Sequence, residues 1–456
     1  MDAIVQNLDR PLGPELTARL DRLTTWPYAR WVIWVVGVGY FLSFFDITNV
    51  ALGLPVYSKL FHMTAGQIAY PISFSLFGYI LGSWLNGNLS DFAGRKIGIM
   101  MATIFFSAGC LGCMVSNGLW TLVFWRFVTG MGIGAEIAIV STYFGELAPP
   151  LMRGRYTGIA NIFSFVGLAF VPILALWLVP NFSWGWRGMF AFGALGLVTL
   201  LAFPFLPESP RWLLAKGRFA KAQLIIAAAE ARELARGGKP LAPVAAAVAE
   251  AEIVGLPMAA LFHPPLRSRL CVLFTMWLLF YIGEYIWLGL GPVFFVDRGF
   301  TLTHSIMFML MSSLGLSMGA AASAWLGDRF RRERSVAFGM LVWAAGFAGI
   351  AFAAAPVAIY ALVFVVTIAL GFVIPLMYTL TNESFPTAAR SSGVSLTDGL
   401  GHVGGVAGPL AATTLYAAMG GASGYQAVFL LVAVTGAGAA ILTQFTGLAV
   451  GRKAAA

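Results

Sequence analysis

Charge is what this chain has least of. Asp, Glu, Lys and Arg make up 10% of its 456 residues and apolar residues 59%, whereas a soluble domain carries roughly 25% charge. A water-soluble globular fold is thereby excluded. Cysteine is nearly absent, with three residues in all. Cys110 and Cys113 have CxxC spacing but no second Cys or His pair beside them, so neither a metal site nor redox chemistry is expected, and packing explains them better. A phosphate-binding loop is missing too. The glycines of Gly130-Met131-Gly132-Ile133-Gly134 are followed by no Lys-Ser/Thr pair and suit close helix contact instead. No nucleophile or cofactor motif accompanies the few buried acids, so no enzyme activity and no cofactor are expected. No cleavable leader is evident, because a polar stretch precedes a first apolar run too long for a signal sequence.

What is present is a series of apolar runs, each long enough to cross about 30 Å of hydrocarbon with roughly 20 residues. They lie near 31–54, 67–90, 97–116, 119–142, 156–179 and 188–206, and again near 270–296, 305–327, 335–354, 357–380, 393–417 and 425–448. The sequence therefore predicts an all-α integral membrane protein. Residues 1–30 form an N-terminal arm, 31–206 a six-helix bundle, 207–269 a polar linker with surface helices, 270–450 a second six-helix bundle and 451–456 a tail.

The two sets are copies. Leu89, Asp91, Arg95, Glu146, Pro149 and Arg153 recur, each 237 positions later, as Leu326, Asp328, Arg332, Glu383, Pro386 and Arg390. An unbroken register over two separated clusters means a tandem duplication with matching loops on one side, a plan common to alternating-access transporters. Basic residues collect on the side of the termini: Arg10, Arg19, Arg22, Arg30, Arg95, Arg153, the linker, Arg329 to Arg334, Arg452 and Lys453. The other side receives Lys59, Arg187 and Arg298. This asymmetry places both termini in the cytoplasm and the chain in the cell (inner) membrane. A basic face against anionic lipid accounts for the net charge of +9 without any nucleic acid.

The segment from Gly87 through Asp91 and Gly94 to Arg95 and Lys96 resembles the signature loop of the major facilitator superfamily, and Leu326 to Arg334 is its degenerate partner. Three further segments are similar to the sugar-porter branch and its organic-solute relatives: Tyr143 to Pro149 with Arg153; Pro207-Glu208-Ser209-Pro210-Arg211-Trp212; and Glu383 to Pro386 with Arg390. The resemblance implies twelve helices in two six-helix bundles related by a pseudo-twofold axis. It also implies a gate on the basic side formed by Asp91, Arg95, Glu146, Arg153, Asp328, Arg332, Glu383 and Arg390. Where sugar porters carry glutamines this chain has Leu279 and Phe280; it has Glu284 and Tyr285 for an Ile-Asn, Asn161 for a fifth-helix glutamine and Tyr378 for a tenth-helix tryptophan. A hexose is therefore not the expected solute. Glu136, in Gly132-Ile133-Gly134-Ala135-Glu136, resembles instead the nicotinate-type and synaptic-vesicle-type carriers of organic ions.

Charges inside the runs cost at least about 2.5 kcal/mol each, so every one needs a partner, a proton or a wet cavity. Asp46 lies about 15 residues into one helix and Arg126 about 7 into an opposed one; at about 1.5 Å per residue they share a level. In the proton-coupled sugar porters that this chain resembles, such a pair couples proton to solute; a static bridge between helices is the alternative. Glu136 lies about 80° short of three turns from Arg126 and needs a different partner, as a second proton site or a structural acid. Asp398 and His402 share a helix face and can influence each other's protonation, or simply bond between helices. Tyr40, Phe44, Trp84, Tyr281, Trp287 and Tyr378 offer ring faces to a solute, though generic packing also uses such rings. These features point to a monomeric proton-coupled symporter of a small organic solute, with an aromatic or other carboxylate favoured. An organic-cation carrier, a proton-driven exporter and a transporter-like solute receptor are the rivals.

Overall fold

The computed structural model describes residues 12–237, 241–244, 258–264, 266–327, 329–386 and 389–449, and the regular structure among them is helical. A short helix, α1 (Leu12–Asp21), precedes the first bundle: α2 (Trp31–Leu60), α3 (Tyr70–Ala93), α4 (Arg95–Val115), α5 (Leu119–Leu147), α6 (Arg153–Leu178) and α7 (Gly185–Ala194). The last crossing continues through Gly196–Thr199 and a 3-10 segment, Leu200–Phe205. Surface helices α8 (Pro210–Ala215) and α9 (Phe219–Gly237) follow. The second bundle holds α10 (Leu266–Asp297), α11 (Leu302–Leu326), α12 (Arg332–Phe352), α13 (Pro356–Ser384), α14 (Arg390–Val394), α15 (Val403–Met419) and α16 (Gly421–Ala449).

Among the described residues, eleven helical segments are long and apolar enough to cross a membrane. The twelfth crossing, expected as a continuous run, is broken: α14 and α15 are separated by a π-helical turn at Ser395–Gly399. Such turns leave the i→i−4 ladder and often mark functional positions, and this one carries Asp398.

The internal copy is realised in helix lengths. α4 and α12 span 21 residues each and α5 and α13 span 29, with both ends of each pair 237 positions apart. The same glycines close the equivalent helix pairs. Gly78 and Gly82 of α3 sit on backbone carbonyls of α5, and Gly315 and Gly319 of α11 sit on the backbone of α13. A Cβ at Gly82 would lie 2.0 Å from the Met131 carbonyl oxygen, and one at Gly319 2.0 Å from that of Ile368. Here close approach excludes any side chain. Gly94 is required differently: at φ +118° it turns the chain from α3 into α4.

The arm and linker, read as separate segments, meet. Leu16, Leu20 and Leu23 pack on Ile226 and Ala229 of α9. Arg19 and Arg22 both bond Glu230 at 2.6 Å, and Glu233 accepts from the backbone and hydroxyls of Thr24 and Thr25. Residues 1–11 of the arm and the tail 451–456 lie outside the described residues.

Candidate functional site

The deepest polar cluster joins four helices of the first bundle. Asp46 on α2 and Arg126 on α5 form an ion pair with both side chains at most 1% exposed. The other Asp46 oxygen, Oδ1, accepts from the Asn49 amide at 3.1 Å and from the Cys110 thiol of α4 at 3.3 Å. Arg126 extends its second nitrogen to the Ser75 hydroxyl of α3 at 3.1 Å. Breaking either partner would leave an uncompensated buried charge, the costly case for such pairs.

Arg126 borders a cavity between the bundles. Ile47, Val50, Ile72, Leu76 and Ile133 supply its apolar lining from one half, and Tyr285 and Leu288 of α10 from the other. Its volume is about 30 Å³, room for a water or two, whereas ligand sites are on the order of several hundred Å³. A solute could enter only after the halves part. Tyr79 also lines the cavity, and its ring stacks on His402 across the halves with centroids 4.5 Å apart.

Away from the basic loops the halves touch. Ser73 donates to the Val406 carbonyl at 2.9 Å, and Ile72 and Leu76 press on Gly289 and Gly405. Towards the basic loops the facing residues open to solvent. Asn161 is exposed, although it lies two turns from Leu168, whose carbonyl accepts from Ser313 of the other half. Tyr378 is 37% exposed.

On the second wall, the Asp398 carboxylate accepts hydrogen bonds from the hydroxyls of Tyr281 and Tyr378. His402 packs against Tyr281 with ring centroids 3.8 Å apart and planes tilted by 32°, and its Nδ1 donates to the backbone carbonyl of Asp398, not to the carboxylate. The expected Asp398–His402 pair is thus indirect. Glu284, on the same helix as Tyr281 and Tyr285, is partly exposed and takes part in no hydrogen bond or ion pair among the described residues. Glu136 is fully buried. Neither of its oxygens has a hydrogen-bond partner among the described residues; one faces the bare backbone of Gly39, where a Cβ would lie 3.0 Å away. Tyr40 and Phe44 stack edge to face on α2, two turns and one turn before the cavity residue Ile47.

Two expected solute contacts are corrected. Trp84 is 67% exposed on the outer surface of its bundle, because it lies about 200° around α3 from Gly82, which packs on α5. Trp287 lies about 200° around α10 from Tyr285 and points into the second bundle, where it donates to Ser312 and packs on Phe347. The reasoning from Leu279 and Phe280 is corrected as well: Leu279 meets Gly438 of α16, and Phe280 belongs to an aromatic cluster with Trp277 and Tyr281. Neither borders the cavity.

The charged loops form one cluster in each half. Arg95 bonds Asp91 one turn back and reaches across to Glu146 at the end of α5. Its counterpart Arg332 bonds Glu383 at the end of α13, with the same separation of 51 residues. Glu208 of the linker accepts from the backbone N–H groups of Arg95, Lys96 and Ser209. Burial pushes its carboxyl above the usual range, against those bonds. Trp212 donates to the Asp91 carbonyl, tying the linker to the loop. Arg390 donates to the Asn382 carbonyl, and Arg153 is exposed at the start of α6. Asp328 lies outside the described residues.

The sequence pattern of the Major Facilitator Superfamily matches residues 36–409, with a second match over 310–452. The chain belongs to that superfamily. Among relatives of this superfamily protein, the niacin transporter NiaP of Acinetobacter baylyi is 24% identical over 91% of this chain and 93% of its own length. The 4-hydroxybenzoate transporter PcaK of the same organism is 27% identical over 82% and 83%. The fold is similar to that of the xylose transporter XylE from E. coli in a partially occluded inward open conformation, with TM-score 0.71 and 17% identity over 90% of this chain and 95% of that one. The protein is accordingly a multi-pass membrane transporter.

Sequence reasoning missed Tyr79, Ser75, Asn49 and Cys110. Tyr79 follows Ile72 and Leu76 on one face of α3, a signal that was present. Asn49 stands one turn beyond Asp46. Cys110 carried none, since its contact with Asp46 depends on how α4 meets α2.

Proposed function

We propose that the protein is a proton-coupled symporter of a small aromatic carboxylate, with the basic end towards the cytoplasm. The observation that carries this reading is the Asp46–Arg126 pair, whose Arg126 borders a cavity otherwise lined by aliphatic and tyrosine side chains, Ser75 and two glycines. Arg126 is the sole cation among the lining residues. A proton on Asp46 cancels the charge that holds Arg126, which frees the guanidinium for a carboxylate that can use its fork of donors. Return of the pair in the absence of solute prevents proton leak. Tyr79 and Tyr285 offer ring faces, and niacin and 4-hydroxybenzoate, the solutes named for the relatives, are both rings with one carboxylate. Glu136, buried with neither oxygen hydrogen-bonded among the described residues, serves as a second proton-binding carboxyl. Tyr40, Phe44, Asn161, Tyr281, Tyr378, Asp398 and His402 border the path from the basic end. The loop clusters gate it without touching solute.

In proteoliposomes, Asp46→Asn should lose pH-driven accumulation of niacin or 4-hydroxybenzoate yet keep exchange of labelled for unlabelled solute. Accumulation that survives this substitution overturns the coupling role. A second reading, an organic-cation carrier, draws on Glu284, an acid of the second half with no partner among the described residues. Competition by a quaternary ammonium compound, lost in Glu284→Gln, would favour it.

A further inference from the structure

The Asp46 carboxylate is surrounded by donors on both oxygens. Arg126 occupies Oδ2, while the Asn49 amide and the Cys110 thiol share Oδ1. This set serves an ionised carboxylate, which only accepts; a protonated one has an O–H that needs an acceptor. One waits nearby. Asn49 Oδ1 is buried and has no hydrogen-bond partner among the described residues, and an unsatisfied buried acceptor of this kind calls for an explanation. Turning the carboxamide about its last bond exchanges the nitrogen facing Asp46 for this oxygen.

We propose that Asn49 and Cys110 are positioning residues for proton binding at Asp46, the carboxamide donating to the ionised carboxylate and, once the proton has arrived on Oδ1, turning to accept from the new O–H. The inference rests on the reading of Asp46 as the coupling carboxylate. Atoms balance simply: one proton enters, an O–H bond forms, and the Asn49 N–H and Cys110 S–H bonds to that oxygen are released. The other groups facing the site are known. Arg126 comes from α5; Cys110 and Cys113 from α4; Ser75, through Arg126, from α3; Asn49 and Tyr57 from α2 itself; and Gly193 and Phe190 from α7. Of these, Asn49 presents both a donor and a free acceptor. The arrangement lets the proton settle before Arg126 departs, so that the guanidinium is released by a neutral carboxyl already bonded elsewhere.

Infrared difference spectra of the full-length protein, titrated with acid in detergent, provide the test and need no solute. The Asp46 band is the protonated-carboxyl stretch that Asp46→Asn removes. In Asn49→Leu, this band should appear at a pH about one unit higher, because the charge-assisted bond lost by the ionised form outweighs the neutral one lost by the protonated form, and at the higher frequency of a carboxyl whose O–H lacks an acceptor. Cys110→Ala should move the pH in the same direction but less, since a thiol is a weak donor, and Cys110→Ser should reverse it. A purely structural role would leave both pH and frequency in place, as the buried control Thr103→Val should. Should Asn49→Leu fail to fold, Asn49→Ser, which keeps a shorter donor and acceptor, should give intermediate shifts. An Asp46 band unmoved by the Asn49 and Cys110 substitutions overturns the proposal and leaves the coupling role standing. The absence of any Asp46 band across the titration overturns both.

Discussion

At the scale of single residues, most of the site's chemistry is a matter of which way a side chain faces. Asp398 is held by two tyrosine hydroxyls, and hydrogen bonds to charged groups contribute about 1.5–3 kcal/mol. Tyr281→Phe should therefore lower thermal stability by an amount of that order and weaken solute binding. Trp84→Ala, at the lipid surface, should leave binding unchanged, and a scintillation proximity assay with labelled solute distinguishes the two. The meeting of Asp46 with Arg126 was legible because charges are rare in this chain and helix rise fixes their depth. The facing of Trp84 and Trp287 was not. In a membrane bundle both the lipid face and the packed face of a helix are apolar, so the amphipathic period that reveals burial in water is erased. Only glycines such as Gly82 still mark the packed side.

At the scale of elements, the glycine seams make a symmetric prediction. A valine at Gly82 or Gly319 would place Cβ within 2.0 Å of a carbonyl oxygen. Each substitution should lower stability by about 1–3 kcal/mol, the usual cost of overpacking, whereas Gly87→Ala meets nothing within 4 Å and should be silent. Thermal unfolding in detergent measures all three. The eleven crossings that are long and apolar enough to span could be read from run lengths. The π turn in the twelfth could not, because residues 393–417 still make a run of spanning length despite Asp398 and His402, and the break arises from hydrogen bonding within the folded helix. The arm–linker contact was equally hidden. Its apolar residues are few, and its strength lies in Glu230 and Glu233 finding partners some 200 positions away.

At the scale of the whole molecule, that contact has a pH dependence of defined sign. Burial alone would push the Glu230 carboxyl up, but hydrogen bonds from Arg19 and Arg22 outweigh it and hold it below the usual range. The clasp is therefore fully present at neutral pH and is lost as pH falls below the ordinary carboxylate value of about 4.3 and through the lower folded one. Trypsin should cleave at Arg19 and Arg22 slowly in the parent protein and faster in Glu230→Gln at neutral pH. Transport specificity is also a property of the whole, since the cavity belongs to both halves. With Ile47, Val50, Ile72, Leu76 and Ile133 around it, a polyol would leave hydroxyls unpaired, each at about 1–3 kcal/mol. Hexoses and pentoses should not enter proteoliposomes faster than they enter empty vesicles, and saturable uptake of any of them would refute this.

The two copies keep equal helix lengths but not equal chemistry. The positions 237 beyond Asp46, Arg126 and Glu136 hold Gly283, Val363 and Val373. The second copy thus keeps the helix plan without a charge at those three positions, and its own acids within the spans, Glu284 and Asp398, correspond to Ile47 and Asn161 of the first. On the reading proposed above, changes at Tyr281, Tyr285 and Tyr378 alter the choice of cargo while the Asp46–Arg126 pair stays intact, which makes the second half the place for a gene library aimed at a new solute.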